Sequence, residues 1–421
     1  MNVLCWGSFL LLLLIPTSIF AYLAHRAGKQ FSDLLPIDFI YYYGDGQIVN
    51  QYPPERLYDS ALQQTVFNRI YPLTGGGWSI SPYPPLVAQL FSFYAQLPIA
   101  AAYGLWFVTS LVLYSSGCLL AFKAAFREQP VKVSLLLFFA LIFPPFLYFT
   151  LVVGQLSTVA VFALGGAVYF ERRSMPLAGG AVLSILSYKP ILLFLILPML
   201  LLTRRFRMLL GYTGGVAFFI SLATALSGIR IWSAYAGMIH EWLRGAGVHG
   251  QAVFRRSLLV DLNSFLYAVP GGRSMPVMLL ACALAVALLA WGIWLLWRSA
   301  NASEAIQHLV WAVVITWTLM LNIYAPIYDC SILAISVGLT LGALSSLQRK
   351  SAVAAVGFIG MLIFVTSIFT GQFAEQHGLQ IITLVIAALG LLQIGLLHKA
   401  IASRQLLKCC SGVPSAATLT P

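Results

Sequence analysis

The chain has 421 residues, of which 60% are hydrophobic and only 9% are charged. Soluble domains carry about a quarter of their residues as charges, so a cytosolic enzyme, a disordered tail protein and a single-span anchor are all excluded. The formal net charge of +12 does not indicate nucleic acid, because the cations fall in short clusters between apolar runs rather than along one stripe.

Read in chain order, apolar runs at 4-24, 99-122, 133-152, 155-170, 176-189, 191-203, 208-227, 275-297, 309-324, 326-345, 352-370 and 379-397 give about twelve expected crossings at roughly 20 residues each. The runs 155-170, 176-189 and 191-203 are short enough to be broken or tilted. The first run lacks a basic leader and is read as a retained helix. The stretch 83-97, bounded by Tyr83-Pro84-Pro85 and Pro98, is read as a short helix that dips into the bilayer. The expected fold is an all-α polytopic membrane protein, one integral domain over 1-421, with structured loops at 25-82 and 228-274 and a tail at 398-421.

Charge sets the expected orientation. With both termini in the cytoplasm, the inner loops hold fourteen cations against three acids, while the other side holds ten against nine. Lys and Arg accumulate on the cytoplasmic side, so both long loops are expected on the outer face of the membrane. The first loop carries Asp33, Asp38, Asp45, Glu55 and Asp59 among Tyr41, Tyr42, Tyr43, Tyr52 and Tyr58. The second carries Arg255 and Arg256 among other arginines and suits an anionic ligand.

Polar residues inside or beside apolar runs are costly unless paired, which makes each a functional candidate. Gly154-Gln155, Tyr188-Lys189-Pro190, Asn322 through Asp329, and Tyr83-Pro84-Pro85 all fall at outer helix ends in this topology. Each has two readings. Gln155 either caps backbone groups at a turn or meets substrate, Lys189 either snorkels to the interface or binds phosphate, and Asp329 serves either a helix end or a ligand. Asp38 is one of five acids in its loop. Gly338 and Gly342 have the spacing of a helix-packing surface. The six cysteines show no disulfide or metal spacing, and there is no phosphate-binding Gly loop, nucleophile elbow or His-Glu-x-x-His site. His240 and His249 sit in the second loop with no assigned role. No cofactor or metal is expected.

In order and spacing, Asp38-Phe39 with Tyr41 and Tyr42, Leu57-Tyr58-Asp59, Tyr83-Pro84-Pro85-Leu86, Gly154-Gln155, Pro176 through Tyr188-Lys189-Pro190 to Arg204-Arg205, and Tyr328-Asp329 resemble glycosyltransferase family 87. This family comprises multispanning GT-C enzymes akin to polyprenyl-phosphate-mannose-dependent mannosyltransferases, and the resemblance runs from about residue 36 to 345. Leu156-Ser157 and Ser79-Ile80-Ser81 depart from the family pattern. The resemblance implies an inverting transfer of a hexose, mannose foremost, from a polyprenyl-phosphate donor to a lipid or glycan acceptor. It implies Asp38 as general base and Tyr41, Asp59, Tyr83, Gln155, Lys189, Arg255, Arg256 and Asp329 as substrate-binding residues. A transporter or lipid flippase, and an outer-face polysaccharide ligase or polymerase, are the alternative expectations.

Overall fold

The computed structural model describes residues 37–72, 78, 80–126, 129–243, 256–269 and 274–410. The expected first span at 4-24, Arg255, the Arg256 side chain and His249 lie outside the described residues. Those described form helices without a sheet, and one isolated antiparallel bridge joins Leu259 to Pro326.

The first polar segment folds as two helices, α1 (Ile37–Gln51) and α2 (Ser60–Ile70), joined by a 3-10 turn at Pro54–Tyr58. Pro53 and Pro54 stop α1, since proline cannot supply the N–H that would continue it. Asp59 starts α2 by accepting hydrogen bonds from the backbone N–H groups of Ala61 and Leu62, both at 3.1 Å. Gly46 is tolerated in the middle of α1 because a Cβ there would run into the backbone carbonyl of Phe91. That close approach seats α1 on α3 (Pro85–Tyr94).

Ten residues of α3 rise about 15 Å, half of a hydrocarbon core of about 30 Å. Within the stretch 83-97 the chain forms one short helix, α3, ended before Pro98. Next come α4 (Ile99–Ala125) and α5 (Pro130–Leu141). Beyond Pro144-Pro145 the chain bends by 49° into a helical segment over Pro144–Val152 whose last six residues form a π turn. After α6 (Ser157–Arg172), α7 (Pro176–Leu183) tightens into a 3-10 turn to Tyr188. A second 3-10 turn, Pro190–Leu193, leads to α8 (Ile196–Leu202). Then follow α9 (Phe206–Ser227), α10 (Arg230–Leu243), α11 (Leu262–Ala268), α12 (Met275–Ser299) and α13 (Glu304–Met320). A 3-10 turn at Ile327–Ile332 opens α14 (Leu333–Ser346), and α15 (Lys350–His377) and α16 (Ile381–Cys410) complete the described residues.

Among the described residues, six helical units are long and apolar enough to cross a membrane: α4, α9, α12, Ile327–Ser346, α15 and α16. The bent pair from Pro130 to Val152 makes a seventh. The remaining expected crossings among the described residues are shorter pieces: the 16-residue α6, Pro176–Tyr188, Pro190–Leu202 and α13. Among the described residues, then, at most seven of the roughly twelve expected crossings have full length, and those at 155-170, 176-189 and 191-203 are short as expected. Prolines at 176, 190 and 198 and the polar residues beside them divide the middle of the sequence into half-length segments.

Small residues and hydroxyls hold the bundle together, as expected where lipid offers no hydrophobic drive between helices. Gly338 and Gly342 of α14 face Phe122 and Ala125 of α4, so their spacing is a packing surface. Gln393 of α16 donates to Ser336 and Thr340 of α14, both at 2.9 Å. At one end of the bundle Arg205 pairs with Glu171 at 2.7 Å, Trp311 donates to the same carboxylate at 2.6 Å, and Arg172 pairs with Glu304. At the other end of α6, some 24 Å away at 1.5 Å per residue, lie Gln155 and Ser157.

Candidate functional site

The site is assembled from α1, the loop before α3, the turn before α6, the break at Lys189 and the turn before α14. On α1, Asp38, Tyr42 and Asp45 stand at i, i+4 and i+7 and so share one face. The Gly154-Gln155 turn meets that face. Gly154 has φ +82°, and a Cβ on it would lie 2.8 Å from Phe39 Cβ, so both the backbone conformation and the proximity of α1 require glycine. The backbone N–H groups of Gly154 and Gln155 both donate to Thr150 O, at 2.9 and 2.8 Å, and Trp106 Nε1 donates to Gly154 O at 2.9 Å. The turn is thereby fixed on the π segment and on α4.

Gln155 is buried and oriented. Its Oε1 accepts from the Tyr42 hydroxyl at 2.7 Å, and the Tyr42 and Tyr83 hydroxyls lie 3.0 Å apart. With Oε1 so engaged, the carboxamide N–H₂ is the end that serves Asp38, whose carboxylate it hydrogen-bonds. Burial pushes the Asp38 carboxyl up to about 6, and the Gln155 hydrogen bond and the Lys189 charge only partly oppose that rise. A carboxylate with this value is ionised at neutral pH and still basic enough to take a proton.

Lys189 lies in the non-helical break between two 3-10 turns, with φ −136° and ψ 77°. Its Nζ is 2.5 Å from Oδ2 of Asp329, which is fully buried, and Ser157 Oγ donates to the other carboxylate oxygen at 2.8 Å. The ammonium also lies over the Tyr328 ring at 4.9 Å and the Tyr324 ring at 5.9 Å. Asp329 thus has both oxygens occupied, whereas Lys189 has three N–H donors and gives one of them to Asp329.

Two clamps hold this half of the site. Asn322 Nδ2 donates to Ile191 O at 3.2 Å, tying the end of α13 to the chain just after Lys189. Asp261 caps α11 by accepting from Ser264 N at 2.8 Å and also accepts from Ala325 N at 3.1 Å, while Val260 N donates to Ala325 O at 2.8 Å. The 256–269 stretch of the second polar segment is therefore docked against the turn that carries Asp329.

Of the residues singled out from sequence, Asp38, Tyr83, Gln155, Lys189 and Asp329 converge. Tyr83 stacks on Tyr188 at 6.5 Å, and its carbonyl accepts from the Tyr58 hydroxyl at 2.8 Å. Tyr41, adjacent to Tyr42, packs edge-on against Phe67 and Trp78 at 5.3 and 5.1 Å and borders both that apolar cluster and the one that holds Tyr42. Asp59 caps α2 and pairs with Arg56 at 2.7 Å, a role that accounts for its carboxylate without any substrate. Arg255 and the Arg256 side chain lie outside the described residues. Sequence reasoning assigned no role to Tyr42, Ser157 or Asp261, and treated Asp45 only as one acid among five. Asp45 is buried, accepts from Gln63 at 3.3 Å, and is pushed well above the usual carboxylate range by that burial. The i+4 and i+7 spacing from Asp38 was the signal for Tyr42 and Asp45. Nothing local pointed to Ser157 or Asp261. Among the described residues no group of three His, Cys, Asp or Glu side chains is placed to hold a metal ion.

The sequence model of glycosyltransferase family 87 matches residues 82–321, which is 240 of the 421 residues. No curated protein and no solved structure matches. The matched stretch contains Tyr83, Gln155 and Lys189. Asp38 precedes it and Asp329 follows it, and the fold brings both to the matched core.

Proposed function

The chain belongs to glycosyltransferase family 87, and on that premise we propose that it transfers a hexose, mannose foremost, from a polyprenyl-phosphate donor to a lipid or glycan acceptor, at the outer face of the inner membrane and with inversion. Membership places the chain among sugar transferases rather than the transporters or flippases that its helix content alone would allow.

The observation that carries the reading is Asp38, a carboxyl held near neutrality by burial and oriented by Gln155, with the Lys189 ammonium close enough to lower its pKa. In the proposed step the ionised carboxylate takes the proton of an acceptor hydroxyl as that oxygen attacks the anomeric carbon. The new C–O bond forms on one face of the sugar while the bond to the phosphate oxygen breaks on the other. Polyprenyl phosphate leaves with the bonding electrons, and Lys189 supplies positive charge where negative charge develops. Tyr83, beside the Asp38 carboxylate, stacks on Tyr188, and the two rings suit a sugar, which offers C–H faces as well as hydroxyls.

The test is transfer of labelled sugar from lipid-linked donor in proteoliposomes, comparing wild type with Asp38→Asn. Loss of the base should lower turnover by at least about a hundredfold, and unchanged turnover would remove Asp38 from the mechanism.

A further inference from the structure

Among the described residues, α12 is buried at one end only. Its buried residues are Leu295, Leu296 and Ser299, near its C-terminus, where Gln307 also donates to Ser299 O at 2.9 Å. Its other end, Met275 to Leu280, is exposed, with Met275 at 71% and Leu279 at 62%. That end follows α11, which Asp261 ties to Ala325 beside the site. Among the described residues the helix is therefore packed at the end remote from Asp38 and Lys189 and unpacked towards the end that bears them.

Between α12 and helices α8, α13 and α16 lies a cleft of about 220 Å³, lined among others by Phe194, Leu288, Gly292, Trp317 and Leu321. Two of its walls run directly into the site. Phe194 lies five residues beyond Lys189 on the same broken segment, and Leu321 precedes Asn322, which is bonded to Ile191 O. From Val313 to Leu321 the α13 wall rises about 12 Å. By volume alone the cleft would admit roughly seven waters, but an apolar wall gives water no partners, so its natural occupant is hydrocarbon.

We propose that this cleft between α12 and the α8, α13 and α16 surface receives the prenyl chain of the lipid-linked donor, with its phosphate at Lys189. The proposal rests on the lipid-donor reading above and adds to it where the lipid enters and how it lies. Two features favour a donor chain over a bulk acyl chain: the Phe194 and Leu321 walls lead along the chain to the Lys189 break and to Asn322, and among the described residues α12 is buried only at the far end. A lipid whose head must reach Lys189 would pass the unanchored half of α12 and turn its tail inward along α13.

Gly292 supplies the probe, because a Cβ built on it meets nothing within 4 Å. Gly292→Phe therefore fills the cleft without a backbone clash, and Gly357→Phe, on an exposed and equally open position of α15, controls for added bulk. The measurement is KM and kcat in proteoliposomes for a full-length polyprenyl-phosphate sugar and for the same sugar on a short, water-soluble prenyl phosphate. Gly292→Phe should raise KM for the long-chain donor about tenfold and leave kcat and the short-chain KM unchanged, while Gly357→Phe matches wild type on both. A donor with a photoactivatable group midway along its chain should label peptides of α12 or α13 in wild type and lose that labelling in Gly292→Phe. If wild type uses both donors but Gly292→Phe leaves the long-chain KM unchanged, or the label falls outside the cleft, the tail site is overturned and the lipid-donor reading stands. If wild type uses neither prenyl-linked donor, the donor reading fails, and the tail site fails with it.

Discussion

At the scale of single residues, the pKa of Asp38 is both a mechanism and a stability statement. A general base raised from 3.8 to about 6 predicts an acid limb in the transfer rate with its midpoint near pH 6, activity rising as the carboxyl ionises. Lys189 lowers that value, so removing its charge should move the limb to higher pH. The stability sign is opposite to that of a salt-bridged aspartate. Because the folded state holds the proton more tightly than the unfolded chain, the stabilisation present below pH 4 is lost as pH rises through about 6. At neutral pH the ionised group costs up to about 3 kcal/mol. Asp38→Asn should therefore be inactive yet melt at a higher temperature than wild type at pH 7.5, with the difference shrinking towards pH 4. A variant that is inactive because it is misfolded would melt lower, so the two measurements together identify the base.

The Lys189 and Asp329 pair makes a different demand. Asp329 is fully buried and its oxygens are held by Lys189 and Ser157. Removing only the cation leaves a buried carboxylate unpaired, at a cost of roughly 3 to 5 kcal/mol. Lys189→Met should be strongly destabilised in detergent, and combining it with Asp329→Asn should recover much of the loss. Donor affinity is then best compared between Lys189→Met with Asp329→Asn and Asp329→Asn alone, since only the former lacks the ammonium. Equal donor affinity in the two would count against phosphate binding by Lys189.

At the scale of elements, the informative unit is the Gly154-Gln155 turn. The sequence displays it as a polar pair between apolar runs, and the Asp38 helix as an aspartate after a proline, but not that the two touch. The contact depends on Gly154 adopting φ +82° with Phe39 against it. Gly154→Ala should cost about 1 to 2 kcal/mol for the left-handed conformation and displace Gln155 from Tyr42. The expected result is a fall in kcat of at least about tenfold with the protein still folded, checked by transfer assay and thermal unfolding. The same logic explains what local reading missed. Asp59 had a visible helix-start signal in the Asp-Ser pair before Ala61 and Leu62, so its capping role was legible beside the substrate role that the family resemblance implies. Ser157, Asn322 and Asp261 act through contacts 172, 131 and 64 residues distant along the chain, and no periodicity encodes such pairings.

At the scale of the whole molecule, composition was a better guide to solvent than to the number of crossings. Hydropathy locates apolar segments. Whether a segment crosses alone depends on breaks such as Pro190 and on the 49° bend at Pro144, which are set by packing. The charge asymmetry gains a structural basis, because α6 and α13 each run from the ion-paired cluster of Glu171, Arg172, Arg205 and Glu304 to the Gln155 and Asn322 end. The site and the basic end therefore lie at opposite ends of the same helices, and the proposed orientation becomes a single binary test. Asn50 is exposed at the end of α1 and Ser351 is exposed at the start of α15. In a background with its six native cysteines replaced, Asn50→Cys should react with a membrane-impermeant maleimide on intact cells after outer-barrier permeabilisation. Ser351→Cys should react only after the inner membrane is opened. The Lys/Arg excess requires that order, and so does a lipid-linked donor consumed on the side away from the cytoplasm. The reverse labelling pattern would place Asp38 in the cytoplasm and overturn the proposed face of reaction, while leaving the chemistry of the site unchanged.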